Sequence, residues 1–142
     1  MIRPASARDV HAIYDVVRPY AHQRVLVAKD LVEYFESLEE FVVAEVEGEV
    51  VGCGALHVFS EAIAEIRTLA VRDEFRGRGI GKAIVDELEA RARSLAIRRL
   101  FCLTFEVEFF SELGYVRIND DAAALARVKP NTLGNSRMFK QL

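Results

Sequence analysis

The stretch EFRGRGIGKAI, residues 74–84, contains three glycines within five residues and lies between a strand pattern and a helix pattern. The strand pattern covers residues 62–71. The helix pattern covers residues 80–95, and an apolar stripe runs along it, formed by Ile80, Ile84, Leu88 and Leu95. A strand, a glycine loop and a helix in this order favour a phosphate-binding site. A tight strand-to-helix turn with solvated basic residues is the alternative.

The phosphate interpretation has a physical basis in the start of the helix. The first N–H groups of a helix lack intrahelical acceptors and carry the positive end of the helix dipole. Glycine lets the backbone approach a ligand closely, and Arg76, Arg78 and Lys82 add positive charge at the same end. Two nucleotide-binding patterns do not fit, because Lys82 replaces the third glycine of GxGxxG, and Arg76 and Ala83 break the Walker A pattern.

The composition limits the class of protein. The chain has 142 residues and is 51% apolar, which indicates one globular domain. Its net charge of −3 argues against non-specific electrostatic binding of nucleic acid. Cys53, Cys102 and the three histidines show no metal-ligand spacing. Two lone thiols in apolar strands indicate a reducing compartment. No apolar run approaches the ~20 residues of a membrane span, and no signal peptide is apparent, so we expect a cytoplasmic protein.

The remaining patterns predict one mixed α/β domain with the element order α-α-β-β-β-α-β-α-β-β. Glu47-Gly48 predicts a hairpin turn, and Gly52 and Gly54 predict a bulge or a close backbone approach within a strand. Residues 119–131 are polar and rich in alanine, which favours a loop or a weak helix. The other predicted helices cover residues 6–22, 30–38 and 107–113, and the other predicted strands cover residues 41–46, 49–59, 99–104, 115–118 and 136–142.

The glycine stretch also carries a family resemblance. RGRGIG, residues 76–81, resembles the acetyl-CoA signature Q/R-x-x-G-x-G/A of the GNAT superfamily of N-acetyltransferases, and FFSELGY, residues 109–115, resembles the segment F-[FY]-x-x-x-G-[FY] of the same family. The resemblance implies the GNAT fold, a mixed and mostly antiparallel central sheet with splayed central strands and flanking helices. It also implies acetyl-CoA as the cofactor.

A narrower resemblance concerns the acceptor. VGCGALH (residues 51–57), EIRTLAV (65–71), FCLTFE (101–106) and KPNTLGNSRM (129–138) resemble the N-acetylglutamate synthases in their short, single-domain form. The implied reaction moves an acetyl group from acetyl-CoA to the α-amine of L-glutamate or L-glutamine, the first step of arginine biosynthesis. A longer form carries a kinase-like domain, for which 142 residues leave no room, so we expect a single acetyltransferase domain over residues 1–142. Relatives carry extra residues between positions 118 and 129, so this chain is short on the substrate side.

The resemblance also implies roles for individual residues. Glu65 is the candidate general base, acting through water, with a strand-edge ion pair to Arg67 as the structural alternative. Ser111 is the candidate that helps the thiolate to leave, because Phe110 stands where many relatives have a tyrosine. A backbone N–H near Leu69 is the candidate donor to the oxyanion. The candidate cofactor-binding residues are Leu69, Ala70, Val71, Arg76, Gly77, Arg78, Gly79, Ile80, Gly81, Lys82, Thr104 and Phe110.

The acceptor carries carboxylates, which basic and hydrogen-bonding side chains recognise. The candidate substrate-binding residues are Lys29, Arg67, Asn135 and Ser136, and a solvated surface charge is the alternative for Lys29 and Arg67. Other functions stay open: acetylation of another small amine or of a protein N-terminus, a non-catalytic acetyl-CoA-binding module, or a structural protein without a ligand. The last strand has the character of an edge that can pair across a homodimer.

Overall fold

A computed structural model describes residues 1–22, 30–118 and 136–142. The strands are β1 (Ile2–Pro4), β2 (Phe41–Val46), β3 (Glu49–Val58), β4 (Ile63–Val71), β5 (Arg99–Thr104), β6 (Val116–Arg117) and β7 (Ser136–Gln141). The helices are α1 (Val10–His22), α2 (Leu31–Glu36), α3 (Ile80–Ser94) and α4 (Val107–Glu112). The strand order is β1-β2-β3-β4-β5-β7-β6, with β4 and β5 parallel and the pairs β1–β2, β2–β3, β5–β7 and β6–β7 antiparallel. The predicted mixed α/β class is confirmed.

The chain forms two compact units. The first comprises Met1–Ala55 and Thr68–Leu88, and the second comprises Leu56–Arg67 and Glu89–Leu142. In the first unit, apolar side chains of α1 and α2 pack with strand residues such as Val43, Cys53 and Ala70. In the second unit, Phe101 of β5 packs against Phe139 of β7, with 5.2 Å between the ring centroids. The expectation of a single domain stays a prediction.

The turn and glycine predictions for the β2–β3 hairpin are confirmed. Glu47 and Gly48 both have positive φ, 50° and 81°, as the tight turn of a two-residue hairpin requires. Ala44 pairs with Gly52 while Glu45 pairs with Val50, so β3 carries one extra residue, which is a bulge. A Cβ on Gly54 would lie 2.7 Å from Cγ2 of Ile84, so this glycine permits helix α3 to lie directly on the strand.

The amino-terminal elements differ from the prediction. β1 is an added strand that pairs with β2, and its Arg3 bonds to Asp9. Helix α1 starts at Val10 rather than at residue 6, because a 3-10 turn over Ala7–Asp9 comes first. The Asp9 carboxylate holds that turn, accepting hydrogen bonds from the backbone N–H of Ser6 at 2.7 Å and from its hydroxyl at 3.0 Å.

The predicted apolar stripe of α3 is wrong at its carboxyl end. Leu95 is 54% exposed, and Ala92 is the buried residue there. The helix ends at Ser94, so Leu95 lies just beyond its last residue, and the chain turns at Ala96, which has φ 61°. Glu89, which lies outside the stripe in the sequence pattern, is buried.

The sequence predicts neither a membrane-spanning segment nor a metal site. Within residues 1–22, 30–118 and 136–142, no helix is long and apolar enough to cross a membrane. Over the same ranges, no group of three or more His, Cys, Asp or Glu side chains has the arrangement of a metal site. The predicted loop or weak helix over residues 119–131, and the candidate substrate residues Lys29 and Asn135, lie outside the described residues.

Candidate active site

The glycine loop lies in the first unit, between β4 and α3. A 3-10 turn over Asp73–Phe75 follows β4, and the loop residues lead into the helix at Ile80. Gly77 and Gly79 have φ 78° and 79°, and among the described residues a Cβ on either would meet no atom within 4 Å apart from those of its chain neighbours. These glycines are therefore required for their backbone conformation rather than for internal packing. The space above the loop is open to a ligand.

The amino end of α3 supplies donors beside that space. The N–H of Ala83 donates to the carbonyl of Gly79 at 3.0 Å, which closes the first helical turn. The N–H groups of Ile80, Gly81 and Lys82 precede that bond and have no acceptor within the helix. Together with the helix dipole, they form a site suited to an anionic group such as a diphosphate.

Three cations surround this helix end, and each is oriented by a neighbour. Arg76 lies 3.8 Å from Asp73, and Lys82 lies 3.0 Å from Asp86, one helical turn further on. The guanidinium of Arg78 lies over the ring of Phe75, 4.9 Å from its centroid. The side chains of Arg76 and Lys82 are 52% and 62% exposed, so both remain accessible to a charged ligand. The donors, the open space and these charges fit the pyrophosphate of coenzyme A.

β4 carries an unusual backbone conformation just before the loop. Thr68 has φ 54°, a left-handed conformation that a β-branched residue rarely adopts and that costs about 1–3 kcal/mol. The sulfur of Cys53 donates to the carbonyl of Thr68 at 3.4 Å. The sequence carries no signal for this kink, because glycine and asparagine are the residues typical of positive φ.

The candidate strand residues after the kink are positioned in different ways. Leu69 and Val71 are partly exposed, whereas Ala70 is buried. The hydroxyl of Tyr20 donates to the carbonyl of Val71, so this carbonyl already has one partner. The predicted bond from Val71 to the pantetheine therefore relies on its N–H group or on the second lone pair of its carbonyl.

Glu65 and Arg67 lie in the second unit, on one face of β4. Glu65 is 3% exposed, and its carboxylate accepts a hydrogen bond from Nε of Arg67. The Arg67 guanidinium lies over the ring of Phe59, 5.5 Å from the centroid, and His57 stacks on the same ring edge-to-face at 5.0 Å. The ion pair expected as the structural alternative is present. It fixes the carboxylate in place, and the general-base role stays a prediction.

Three other candidates of the second unit, Thr104, Ser136 and Phe110, have local structural roles. The hydroxyl of Thr104 accepts the N–H of Glu106 at 2.8 Å, and Thr104 pairs with Ser136 across β5 and β7. Phe110 is 3% exposed and meets the ring of Tyr115 edge-to-face at 5.2 Å. Phe110 therefore packs in the core, and its predicted contact with the cofactor stays a prediction. Ser111 is exposed on α4, and its role in thiolate departure stays a prediction.

The fold and the helix-end site define a class of protein. The acetyltransferase (GNAT) family model matches residues 8–115, and the chain belongs to this family. It is 43% identical to the amino-acid acetyltransferase of Mycobacterium tuberculosis, and the match covers 98% of this chain and 92% of that protein. The family resemblance is confirmed.

Solved structures agree with that assignment. The crystal structure of Rv2747 from Mycobacterium tuberculosis, in complex with CoA and a second ligand, is 44% identical with a TM-score of 0.89, and the match covers 100% of this chain and 99% of that chain. The structure of N-acetylglutamate synthase from Neisseria gonorrhoeae, complexed with coenzyme A and N-acetyl-glutamate, is 28% identical with a TM-score of 0.89. That match covers 100% of this chain but 35% of the longer one. The predicted GNAT fold is confirmed.

Proposed function

We propose that this protein transfers an acetyl group from acetyl-CoA to the α-amine of an amino acid, with L-glutamate or L-glutamine as the acceptor. The observation that carries the proposal is the 43% identity, over nearly the whole of both chains, to a protein named amino-acid acetyltransferase. The glycine loop and the amino end of α3 agree with it, because they suit the diphosphate of the cofactor. The product would enter arginine biosynthesis.

The glycine loop, α3 and the end of β4 supply the cofactor side of the proposed reaction. When bound, acetyl-CoA provides an activated acetyl thioester. The N–H groups of Ile80, Gly81 and Lys82 donate to the pyrophosphate, and Arg76 and Arg78 add charge around it. Backbone groups of Leu69–Val71 bind the pantetheine arm. The N–H of Leu69 donates to the acetyl oxygen, where negative charge develops during transfer.

Glu65 and Arg67 supply the acceptor side of the proposed reaction. An amino acid arrives as an ammonium ion and must lose a proton before it attacks, and Glu65 accepts that proton through water. Nε of Arg67 donates to Glu65, and the guanidinium carries further N–H donors for a carboxylate of the acceptor. A guanidinium held in this way can grip a carboxylate of the acceptor at two points. Lys29, Asn135 and Ser136 complete the proposed acceptor set, and Ser111 assists the departing thiolate.

The location and assembly of the enzyme stay predictions. Cys53 and Cys102 are buried and form no disulfide among the described residues, which supports a reducing compartment such as the cytoplasm. The prediction that the last strand is a sheet edge is wrong, because β7 lies between β5 and β6. A homodimer would be detected by light scattering.

The experiment that tests the proposal measures free-thiol release from acetyl-CoA with L-glutamate, L-glutamine and a panel of other amines. Acetyl-CoA binding is measured in parallel by calorimetry. We expect turnover with glutamate or glutamine. Turnover only with another amine would assign a different acceptor, and binding without turnover against any amine would indicate a non-catalytic module.

A matched pair of glycine variants tests the cofactor site in the same assay. Gly79→Trp places a large side chain over the helix end, and we expect acetyl-CoA affinity to fall below detection. Gly48→Trp is the control, because Gly48 has φ 81° and equally open surroundings but lies in the β2–β3 turn. Both variants carry the same backbone strain, so loss of binding in both, or in neither, would contradict the assigned site.

A further inference from the structure

We propose that Cys53 is a positioning residue for acetyl transfer: its thiol orients the Leu69 N–H by holding the carbonyl of Thr68. The proposal rests on the proposed function in one respect, the donation of a hydrogen bond from the Leu69 N–H to the acetyl oxygen. Its structural basis is a set of contacts in the first unit that fix one peptide group of β4.

The first observation is the conformation of Thr68. Successive peptide groups of a regular strand alternate in direction. The φ of 54° at Thr68 interrupts that alternation and re-aims the peptide group that follows. Threonine disfavours this conformation, since its branched Cβ crowds the backbone. Contacts around β4 must therefore impose it.

The second observation is the contact between Cys53 and Thr68. The Cys53 side chain is fully buried, and its sulfur lies 3.4 Å from the carbonyl oxygen of Thr68. The thiol cannot easily move away, because Gly52 and Gly54 on either side of it lie directly against Ile84 of α3. A Cβ on these glycines would come within 3.1 Å and 2.7 Å of Ile84 side-chain atoms.

Peptide geometry transmits this contact to Leu69. The carbonyl of Thr68 and the N–H of Leu69 belong to one planar trans peptide group, so they point in opposite directions. A thiol that holds the carbonyl therefore directs the N–H to the opposite side of the strand. A hydrogen bond to the carbonyl also polarises the peptide group, which makes its N–H a stronger donor.

The far end of the same segment is fixed independently. The hydroxyl of Tyr20 donates to the carbonyl of Val71, and the N–H of Arg72 donates to the carbonyl of Val51 at 2.8 Å. Between these anchors and the thiol, residues 69–71 have little freedom to turn. The Leu69 N–H is thus held in one direction before any ligand binds, as an oxyanion donor requires.

The test compares variants at the two buried cysteines. Cys53→Ala and Cys53→Val remove the donor, and Cys53→Ser restores one. We expect the non-donor variants to lower kcat about 5- to 10-fold, the effect of one hydrogen bond, with the KM for acetyl-CoA nearly unchanged. Cys53→Ser should recover most of the loss. Cys102→Ala removes the other buried thiol and should leave kcat near the wild-type value.

A second readout does not depend on turnover. In 15N-labelled protein, the amide proton of Leu69 should shift upfield in Cys53→Ala and Cys53→Val, and keep its position in Cys53→Ser. An unchanged Leu69 amide, or a kcat loss that Cys102→Ala reproduces, would overturn the proposal. If no amine supports turnover even in the wild type, the proposed function fails, and the Leu69 amide still decides whether Cys53 orients the peptide.

Discussion

Glu65 and Glu89 are two carboxylates of the second unit with nearly equal burial, 3% and 4% exposed, but with different partners. Glu65 is bonded by Arg67, two residues along the same strand. Glu89 accepts hydrogen bonds from the hydroxyl of Tyr115 at 2.8 Å and from the ammonium of Lys140 at 3.1 Å. Burial alone therefore does not distinguish the two carboxylates, but the origin of their partners does.

The partners of Glu89 connect separate elements. Lys140 of β7 also donates to the carbonyl of Leu113 at 2.8 Å and packs against Gly114, so one side chain joins α3, β7 and the turn after α4. Burial and the charge of Glu89 raise the pKa of Tyr115 well above its usual range, so this hydroxyl remains a donor. Glu65 has a local partner on its own strand, which orients the carboxylate without tying distant elements together.

The largest expected effect follows from replacing Glu65. Glu65→Gln keeps the shape of the side chain but removes its capacity to accept a proton, so we expect kcat to fall about 10²- to 10⁴-fold. The midpoint of thermal unfolding should change little, because the bond between Glu65 and Arg67 lies within one strand and does not join separate elements. Steady-state kinetics and a thermal melt of the same preparation measure both quantities.

Glu89→Gln is the matched control, since it makes the same chemical change at equal burial. We expect it to lower the unfolding midpoint and to leave kcat of the folded enzyme near the wild-type value. Equal losses of kcat in the two variants would remove the distinction between the carboxylates. A Glu65→Gln enzyme with unchanged kcat would assign the proton transfer to another group.

The second effect concerns stability. Lys140→Met leaves the buried charge of Glu89 without its ammonium partner, so we expect the free energy of unfolding to fall by about 2–3 kcal/mol. The estimate lies below that for a fully buried pair because the Lys140 side chain is 24% exposed. Urea unfolding at neutral pH measures the change.

Arg93→Met is the control for Lys140→Met. Arg93 also pairs with Glu89, at 3.8 Å, but its side chain is 55% exposed, so its removal should cost below about 0.5 kcal/mol. If Lys140→Met were as mild as Arg93→Met, the buried cluster would not hold the second unit together.

The sequence was sufficient where a short pattern determines the structure. The Glu47-Gly48 turn, the glycine loop and the start of α3 are local features, and the residues that form them are adjacent in the chain. The pairing of Glu65 with Arg67 was also accessible, because residues two apart on a strand share a face. The acetyltransferase class followed from the same local signature.

The sequence was insufficient where distant residues meet. The sequence pattern predicts that Glu89 is a solvated helix residue, because its partners Tyr115 and Lys140 lie 26 and 51 positions away in the chain. β1 is three residues long, which is too short for a periodic pattern. The bonds of its Arg3 to Asp9 and Glu45 help to fix this strand, but they join residues that are not neighbours in the chain. Thr68 shows no sign of positive φ, since the contact that accompanies it comes from another strand. In each case the tertiary environment overrides the local preference.

Asp9 is a buried carboxylate of the first unit, and replacing it should lower the free energy of unfolding slightly less than replacing Lys140. The hydrogen bonds from Arg3, opposed by burial and assisted by the N–H and hydroxyl of Ser6, lower the pKa of Asp9 to about 2 from 3.8. The folded state therefore binds this proton less readily than the unfolded state. The stabilisation, about 2 kcal/mol, is complete above pH 4 and is lost as the pH falls through 2.

The stability difference between wild type and Asp9→Asn should accordingly be about 2 kcal/mol at pH 7 and should shrink as the pH falls from 4 towards 2. Urea unfolding at a series of pH values measures it. Asp86→Asn is the control, because Asp86 pairs with Lys82 on the surface at 55% exposure and should contribute below about 0.5 kcal/mol at every pH. A stability difference between wild type and Asp9→Asn that does not depend on pH would show that packing, rather than the charge of Asp9, holds the amino-terminal turn. Asp9 would then differ from the paired carboxylates of the second unit.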